Sequence, residues 1–170
     1  MALGYGQGMA LVRIAVGLYF LVQGITKSTG GWLSSSDPLL KTFIGPALER
    51  NSAEAFYRPF LENVVQPNGL LFSQLVAIAE ISVGICLILG LLTRPAGIVA
   101  MFLNLNYMLM KGLVNSNGSI DRLFFAMEIV FVLTAAGLVW GLDGRLRDVL
   151  ATNPLGRWVV GAQQPTPAEA

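Results

Sequence analysis

Residues 70–92 read LLFSQLVAIAEISVGICLILGLL, and this stretch decides the class of the molecule. Twenty-three residues carry one side chain of the Asp, Glu, Lys and Arg type, Glu80, and run on apolar without the alternation that a half-buried or barrel strand requires. At 1.5 Å per residue such a helix is long enough to cross the roughly 30 Å hydrocarbon core of a bilayer. The run ends at Thr93-Arg94-Pro95, where proline suits the first turn of a new helix, so a tight helical hairpin is expected.

Three further runs of similar length lie outward from it: Gly8 to Thr26, Pro95 to about Leu113, and about Asp121 to Leu142, the last two separated by the turn-forming Asn115-Ser116-Asn117-Gly118-Ser119. The expected fold is therefore all-α, a polytopic membrane four-helix bundle with spans at about 8–26, 70–92, 95–113 and 121–142. The membrane domain takes residues 1–147, and 148–170 form a surface-lying C-terminal extension and tail. No basic region precedes the first run and no small-residue cleavage site follows it, so it reads as a retained span. Four spans put both termini on one side. Lysines and arginines at the span ends divide five against six between the two sides, and the short flanks favour termini in the cytoplasm of a bacterial or archaeal cell membrane.

Composition agrees. Of 170 residues 54% are hydrophobic and 12% charged, against about 25% charged in a typical soluble domain. Mean hydropathy is +0.64. A net charge of +1 leaves no basic surface for a nucleic-acid backbone. With no histidine and one cysteine, the chain supplies no bis-His haem site, no cysteine-rich iron–sulfur site, no His-based zinc site and no internal disulfide. Any redox cofactor is expected to be organic or to belong to a partner. Cys86, inside the second run, reads as a packing residue.

Residues 28–69 form the one sizeable excursion. Asp37-Pro38 starts a short helix and Ile44-Gly45-Pro46 stops it. Further on, Phe56, Phe60 and Val64 recur at intervals of four on one face, with Glu54, Arg58 and Glu62 on another. This predicts an amphipathic segment on the membrane or over the bundle, kinked or divided at Pro59, acting as a lid or as a substrate gate.

Ionisable groups within spans cost about 2.5–3.5 kcal/mol each at the bilayer centre on insertion scales, so each needs a reason. Glu80 lies about 15 Å into its span and Glu128 about 10 Å into the fourth. Asn104 has a depth similar to Glu80, so these groups can meet in one layer. Stripes of Arg13, Gly17, Phe20, Gly24 and Lys27, of Gln74, Ala77, Glu80, Gly84 and Leu87, of Gly97, Met101, Asn104, Tyr107 or Met108, and Lys111, and of Asp121, Phe125, Glu128, Val132 and Ala135 turn them inward. Asn106 points away from Asn104, toward its own helix or a partner subunit.

Two readings follow. In the structural one, Arg13, Lys27 or Lys111 compensates a glutamate and the seam fixes helix register, with Lys27, Lys111 and Arg122 as charge partners. In the functional one, Arg13, Glu80, Asn104 and Tyr107 bind a lipid-soluble polar headgroup such as a quinone. Glu80 and Glu128 are then candidate proton-handling groups, an unpaired Glu80 exchanging the proton while Asn104 and Tyr107 hydrogen-bond the carbonyls. Lys27 and Lys111, at span ends, are expected to snorkel to the surface. A weak echo, in which each half reads helix to Lys27 or Lys111, one glutamate, then Arg94 or Arg145, raises parallel repeats.

The stretches Leu11-Val12-Arg13-Ile14-Ala15-Val16-Gly17, Ala79-Glu80-Ile81-Ser82-Val83-Gly84 and Leu89-Gly90-Leu91-Leu92-Thr93-Arg94-Pro95-Ala96-Gly97 resemble the DoxX/DoxD family of small four-helix membrane proteins, over about residues 9–147. Phe56-Tyr57-Arg58-Pro59-Phe60-Leu61 and Asn104-Leu105-Asn106-Tyr107 resemble its DoxD branch, the membrane subunit of thiosulfate:quinone oxidoreductase. The resemblance implies a subunit of a quinone-linked redox complex, with quinone and lipid as bound groups and other membrane subunits as partners. The alternatives are a noncatalytic accessory subunit of an electron-transfer, photosynthetic or transport complex, and a small oligomeric transporter. The extension 148–170, with Trp158 at the membrane surface and a tail from Gln163 that is disordered by composition, is expected to dock on other subunits.

Overall fold

A computed structural model describes residues 4–115 and 118–161, which are helical throughout their ordered elements and include no strand. Four long helices dominate: α1 (Tyr5–Thr29), α5 (Gly69–Leu89), α6 (Thr93–Lys111) and α7 (Ser119–Thr134). Helix α1 packs along α5 and α6 along α7, and the two pairs meet more sparsely through α5 and α6. Among the described residues two helices, α1 and α5, are both long and apolar enough to cross a membrane by length and composition alone. The other two fall short of that measure because α6 carries Arg94, Asn104, Asn106 and Lys111, while α7 has 16 residues.

Glycines set the closeness of α1 and α5. A Cβ on Gly84 would lie 2.5 Å from the Leu21 backbone nitrogen, and one on Gly24 would lie 2.7 Å from the Ile81 backbone nitrogen. The helices therefore touch backbone to backbone, and Val16, Phe20, Val83 and Leu87 fill the core beside the contact.

The fourth apolar run does not continue as helix to Leu142. It stops at Thr134, with Ala135 and Trp140 both at φ +50°. The physical reason lies on α1. Arg13, fully buried, donates from Nη1 to the Ala136 carbonyl at 3.1 Å and from Nη2 to the Trp140 carbonyl at 2.9 Å, so carbonyls outside the helix keep partners in apolar surroundings. Asp143 secures the same end by accepting from the backbone N–H groups of Leu92 at 2.7 Å and Thr93 at 2.9 Å, which caps the start of α6.

In the excursion, Gly45-Pro46 does not stop the helix. The chain continues through α2 (Asp37–Leu39), a π turn over Leu40–Ile44 and α3 (Gly45–Glu49). The wider turn, closed by the Gly45 N–H on the Leu40 carbonyl, immediately precedes Pro46, where a regular turn would meet the proline ring. The second piece begins only at Arg58, as α4 (Arg58–Phe60) followed by a π turn over Leu61–Val65, with Pro59 in its first turn. Its buried side chains are Leu61 and Val65, whereas Phe56 and Val64 of the predicted apolar face are exposed. Packing against α5, rather than the four-residue interval, chooses the face.

After α8 (Leu142–Arg145) and α9 (Arg147–Leu150), α10 (Pro154–Val160) turns back onto the start of α6. Arg94 donates to the Trp158 carbonyl at 2.7 Å and sits 5.9 Å from the Trp158 ring centre, while Val160 is buried. The tail from Gln163 onward lies outside the described residues.

The glycine contact makes a direct prediction. Gly84→Ala should destabilise the protein by about 1–3 kcal/mol through overpacking, read as a lower melting temperature in detergent. Gly8→Ala, where an added Cβ meets nothing within 4 Å, should leave it unchanged or slightly higher.

Candidate functional site

The close approach at Gly24 brings the last turn of α1 against the middle of α5, and Lys27 reaches Glu80. Lys27 Nζ lies 2.7 Å from Glu80 Oε1 and 2.6 Å from Oε2, with Lys27 9% exposed and Glu80 2% exposed. Lys27 therefore does not snorkel outward, and Glu80 is not unpaired. An ammonium has a carboxylate within reach across the helix contact, and pairing both groups there avoids leaving either charge alone among apolar side chains. Lys111 likewise stays at the bundle, paired with Asp121 at 2.8 Å.

Helix α6 adds Tyr107, whose hydroxyl donates to Glu80 Oε1 at 2.7 Å. Its ring is flanked by two cations, with Lys27 Nζ 5.7 Å and Lys111 Nζ 5.4 Å from the centroid. Lys27 also lies 5.3 Å from the Trp32 ring. Glu80 thus accepts from a buried cation on one side and from a phenol on the other.

Tyr107 is also a wall residue of a cavity of about 300 Å³ between the excursion and the α5–α6 pair. Most of the lining is aliphatic or aromatic, from residues such as Phe60, Leu61, Phe72, Val76, Leu103 and Met110. Polar side chains on this wall come from Tyr57, Asn106 and Tyr107. Tyr57 donates to Asn106 Oδ1, and Asn106 Nδ2 donates to the Phe102 carbonyl of its own helix at 2.6 Å. Burial beneath the excursion pushes the Tyr57 phenol up to about 12.

The other expected site residues lie elsewhere. Asn104 Nδ2 donates to Glu128 Oε1 at 2.6 Å between α6 and α7, both residues are buried, and Glu128 Oε2 has no hydrogen-bond partner among the described residues. This pair is distinct from the Lys27–Glu80–Tyr107 cluster, so the polar seam is divided rather than continuous. Arg13 is about 21 Å along α1 from Lys27, at the opposite end of the bundle. Arg122 donates to the Leu113 carbonyl at 2.7 Å and the Asn115 carbonyl at 2.9 Å, and so holds the turn between α6 and α7.

Tyr57 and Asn106 were not among the expected ligand-binding residues. A π turn and an intervening loop place Tyr57 over α6, and neither has a spacing signature. Asn106 was legible only as a residue that faces away from Asn104.

An almost wholly apolar cavity with Tyr57, Asn106 and Tyr107 on its wall, the last bonded to a buried ion pair, suits a lipophilic molecule. Residues 9–162 match the family described as TQO small subunit DoxD. The chain belongs to the DoxD family. TQO is thiosulfate:quinone oxidoreductase, and DoxD is its small membrane subunit. No solved structure matches the chain. In this DoxD protein the stretches that carried the resemblance form the contacts described above: Arg13 ends α7, Gly84 admits α1, and Glu80 holds Lys27 and Tyr107.

Two measurements test the geometry. Lys27→Met should strand the Glu80 carboxylate and cost about 3–5 kcal/mol, whereas Lys27→Met with Glu80→Gln should recover much of the loss, in a double-mutant cycle on detergent melting. The Tyr57 phenol keeps its proton in the folded protein up to about pH 12, while an unfolded tyrosine loses it near 10. Its contribution to stability is therefore full below pH 10 and is lost as pH rises toward 12, and Tyr57→Phe should flatten that part of the stability profile.

Proposed function

We propose that this DoxD chain is a four-span membrane subunit of a quinone-linked oxidoreductase complex, and that the cavity beneath the excursion receives the ring of a quinone. The observation that carries the reading is the cavity wall itself: apolar throughout except where Tyr57, Asn106 and Tyr107 meet it, with Tyr107 bonded to the buried Glu80–Lys27 pair. Ring carbonyls are acceptors, and Tyr57 and Tyr107 bring two hydroxyl groups to one apolar chamber, each of which turns from its present acceptor, Asn106 or Glu80, to donate to a ring oxygen. Tyr107 holds a proton that now points to Glu80. To serve a ring oxygen the hydroxyl turns into the cavity and gives up that proton, and the phenolate left behind takes one from the Lys27 ammonium by way of Glu80, Lys27 in turn being reprotonated from water. Two-electron reduction of a quinone consumes two protons, so a protein-held donor within reach of a ring oxygen has a task to perform.

Electron carriers belong to partner subunits in this reading, because the chain has no histidine and a single cysteine, Cys86. Asn104 and Glu128 bind α6 to α7, and Arg13 ends α7; all three serve the scaffold. Helices α6 and α7, about 28 and 24 Å long at 1.5 Å per residue, serve as the third and fourth spans with their ionisable groups turned inward and paired or hydrogen-bonded. The end of the bundle that holds α8–α10 bears Arg94, Arg145, Arg147 and Arg157 with Trp140 and Trp158, a pattern suited to the cytoplasmic membrane surface.

The test is quinone-dependent turnover of the assembled complex in native membranes. Tyr107→Phe and Glu80→Gln should lower kcat by roughly 10²-fold or more, the scale of a lost proton donor. Asn106→Leu should raise KM for quinone, whereas Asn104→Leu should alter stability without a selective effect on KM. Unchanged turnover in both Tyr107→Phe and Glu80→Gln would overturn the reading.

A further inference from the structure

The cavity has two kinds of boundary. Toward the excursion it is closed by the Tyr57–Asn106 hydrogen bond and by buried Leu39, Ile44 and Leu61. Toward the outer surface of the bundle its lining includes Leu75 of α5 and Val99 and Phe102 of α6, which are 53%, 41% and 64% exposed. All three are apolar and sit in the seam where the two helix pairs meet sparsely. Leu75 is about 9 Å along α5 from its start at Gly69, and Phe102 about 14 Å along α6 from its end at Lys111. With α5 and α6 both spanning the membrane, as proposed above, that level falls below the excursion and faces lipid hydrocarbon.

From this geometry we infer that the cavity is filled sideways from the bilayer, through a portal between α5 and α6 bounded by Leu75, Val99 and Phe102, and that its occupant is a ring ligand whose long isoprenoid tail stays in that portal. The inference rests on the function proposed above and adds the route and the tail. A volume of about 300 Å³ accommodates a substituted ring and a short length of chain, but not several isoprene units. The tail of a membrane quinone must therefore leave the chamber, and the exposed apolar rim gives it a path that never meets water. The head end is where the polar side chains of the wall lie, at Tyr57, Asn106 and Tyr107. A ligand that came from the aqueous side would instead have to displace the buried side chains of the excursion, Leu39, Ile44 and Leu61.

The experiment measures equilibrium binding of two labelled benzoquinones to the intact complex in lipid nanodiscs. One carries a single isoprene unit and the other eight. Leu75→Trp and Val99→Trp, which narrow the portal from opposite helices, should each weaken the long-tailed quinone by about tenfold or more, as overpacking of 1–3 kcal/mol implies, and leave the short-tailed quinone within about twofold. Retained binding of the short-tailed compound also reports that each variant is folded. Ile98→Trp, next to Val99 and exposed but not on the cavity wall, should change neither. Equal weakening of both quinones, no weakening of either, or the same selective loss in Ile98→Trp would overturn the portal. Binding of neither quinone to the unaltered complex would be a different result: it would remove the proposed function itself, and the portal with it.

Discussion

A charged group placed inside an apolar helix bundle must find its partner inside the same bundle, and the Lys27–Glu80 pair is where this constraint acts most strongly. The two residues come from helices separated by the whole excursion, and their contact requires α1 and α5 to approach backbone to backbone at Gly24 and Gly84. The pairing of α1 with α5 goes with that contact, and Tyr107 of α6 donates to the same carboxylate. A buried ion pair is weak evidence for stability, because apolar residues of similar size would pack there without a desolvation cost. Its position gives it another role: it holds a carboxylate against a phenol at the edge of a cavity.

Arg13 applies the same constraint at the other end of the molecule. Its guanidinium satisfies carbonyls beyond the end of α7 and so permits a helix of 16 residues where the apolar run would have allowed a longer one. Asp143 does the converse for the backbone donors at the start of α6. Termini in an apolar environment are thus completed by side chains from other helices, which ties the ends of the bundle together without a polar core running through its length.

The helices were legible because continuous apolar runs bounded by Thr93-Arg94-Pro95 and by the Asn115–Ser119 turn have few interpretations. The inward direction of Glu80, Asn104, Asp121 and Glu128 was legible from helical spacing, whereas Lys27, on an inward stripe but near a span end, was expected to snorkel outward and instead pairs with Glu80. Their pairing was not legible. Spacing gives a direction around one helix, whereas the choice of partner depends on the rotation and offset between helices, which here put Lys27 on Glu80 and Asn104 on Glu128. The end of α7 and the passage through Gly45-Pro46 were hidden for a related reason: both depend on long-range or non-regular hydrogen bonds that replace those the local sequence seems to forbid. The cavity depends on two π turns and one loop, and these leave no periodic trace.

The central claim, that the ring of a quinone sits beneath the excursion rather than in the Asn104–Glu128 layer or on another subunit, is tested most directly by photolabelling the intact complex in its native membrane with an azido-benzoquinone and mapping the modified peptides. The account predicts that the label, displaced by excess unmodified quinone, falls on cavity-lining residues such as Tyr57, Phe60, Phe72, Phe102, Asn106 and Tyr107. Displaceable label confined to the Asn104–Glu128 side of α7, or found only on partner subunits, would contradict it.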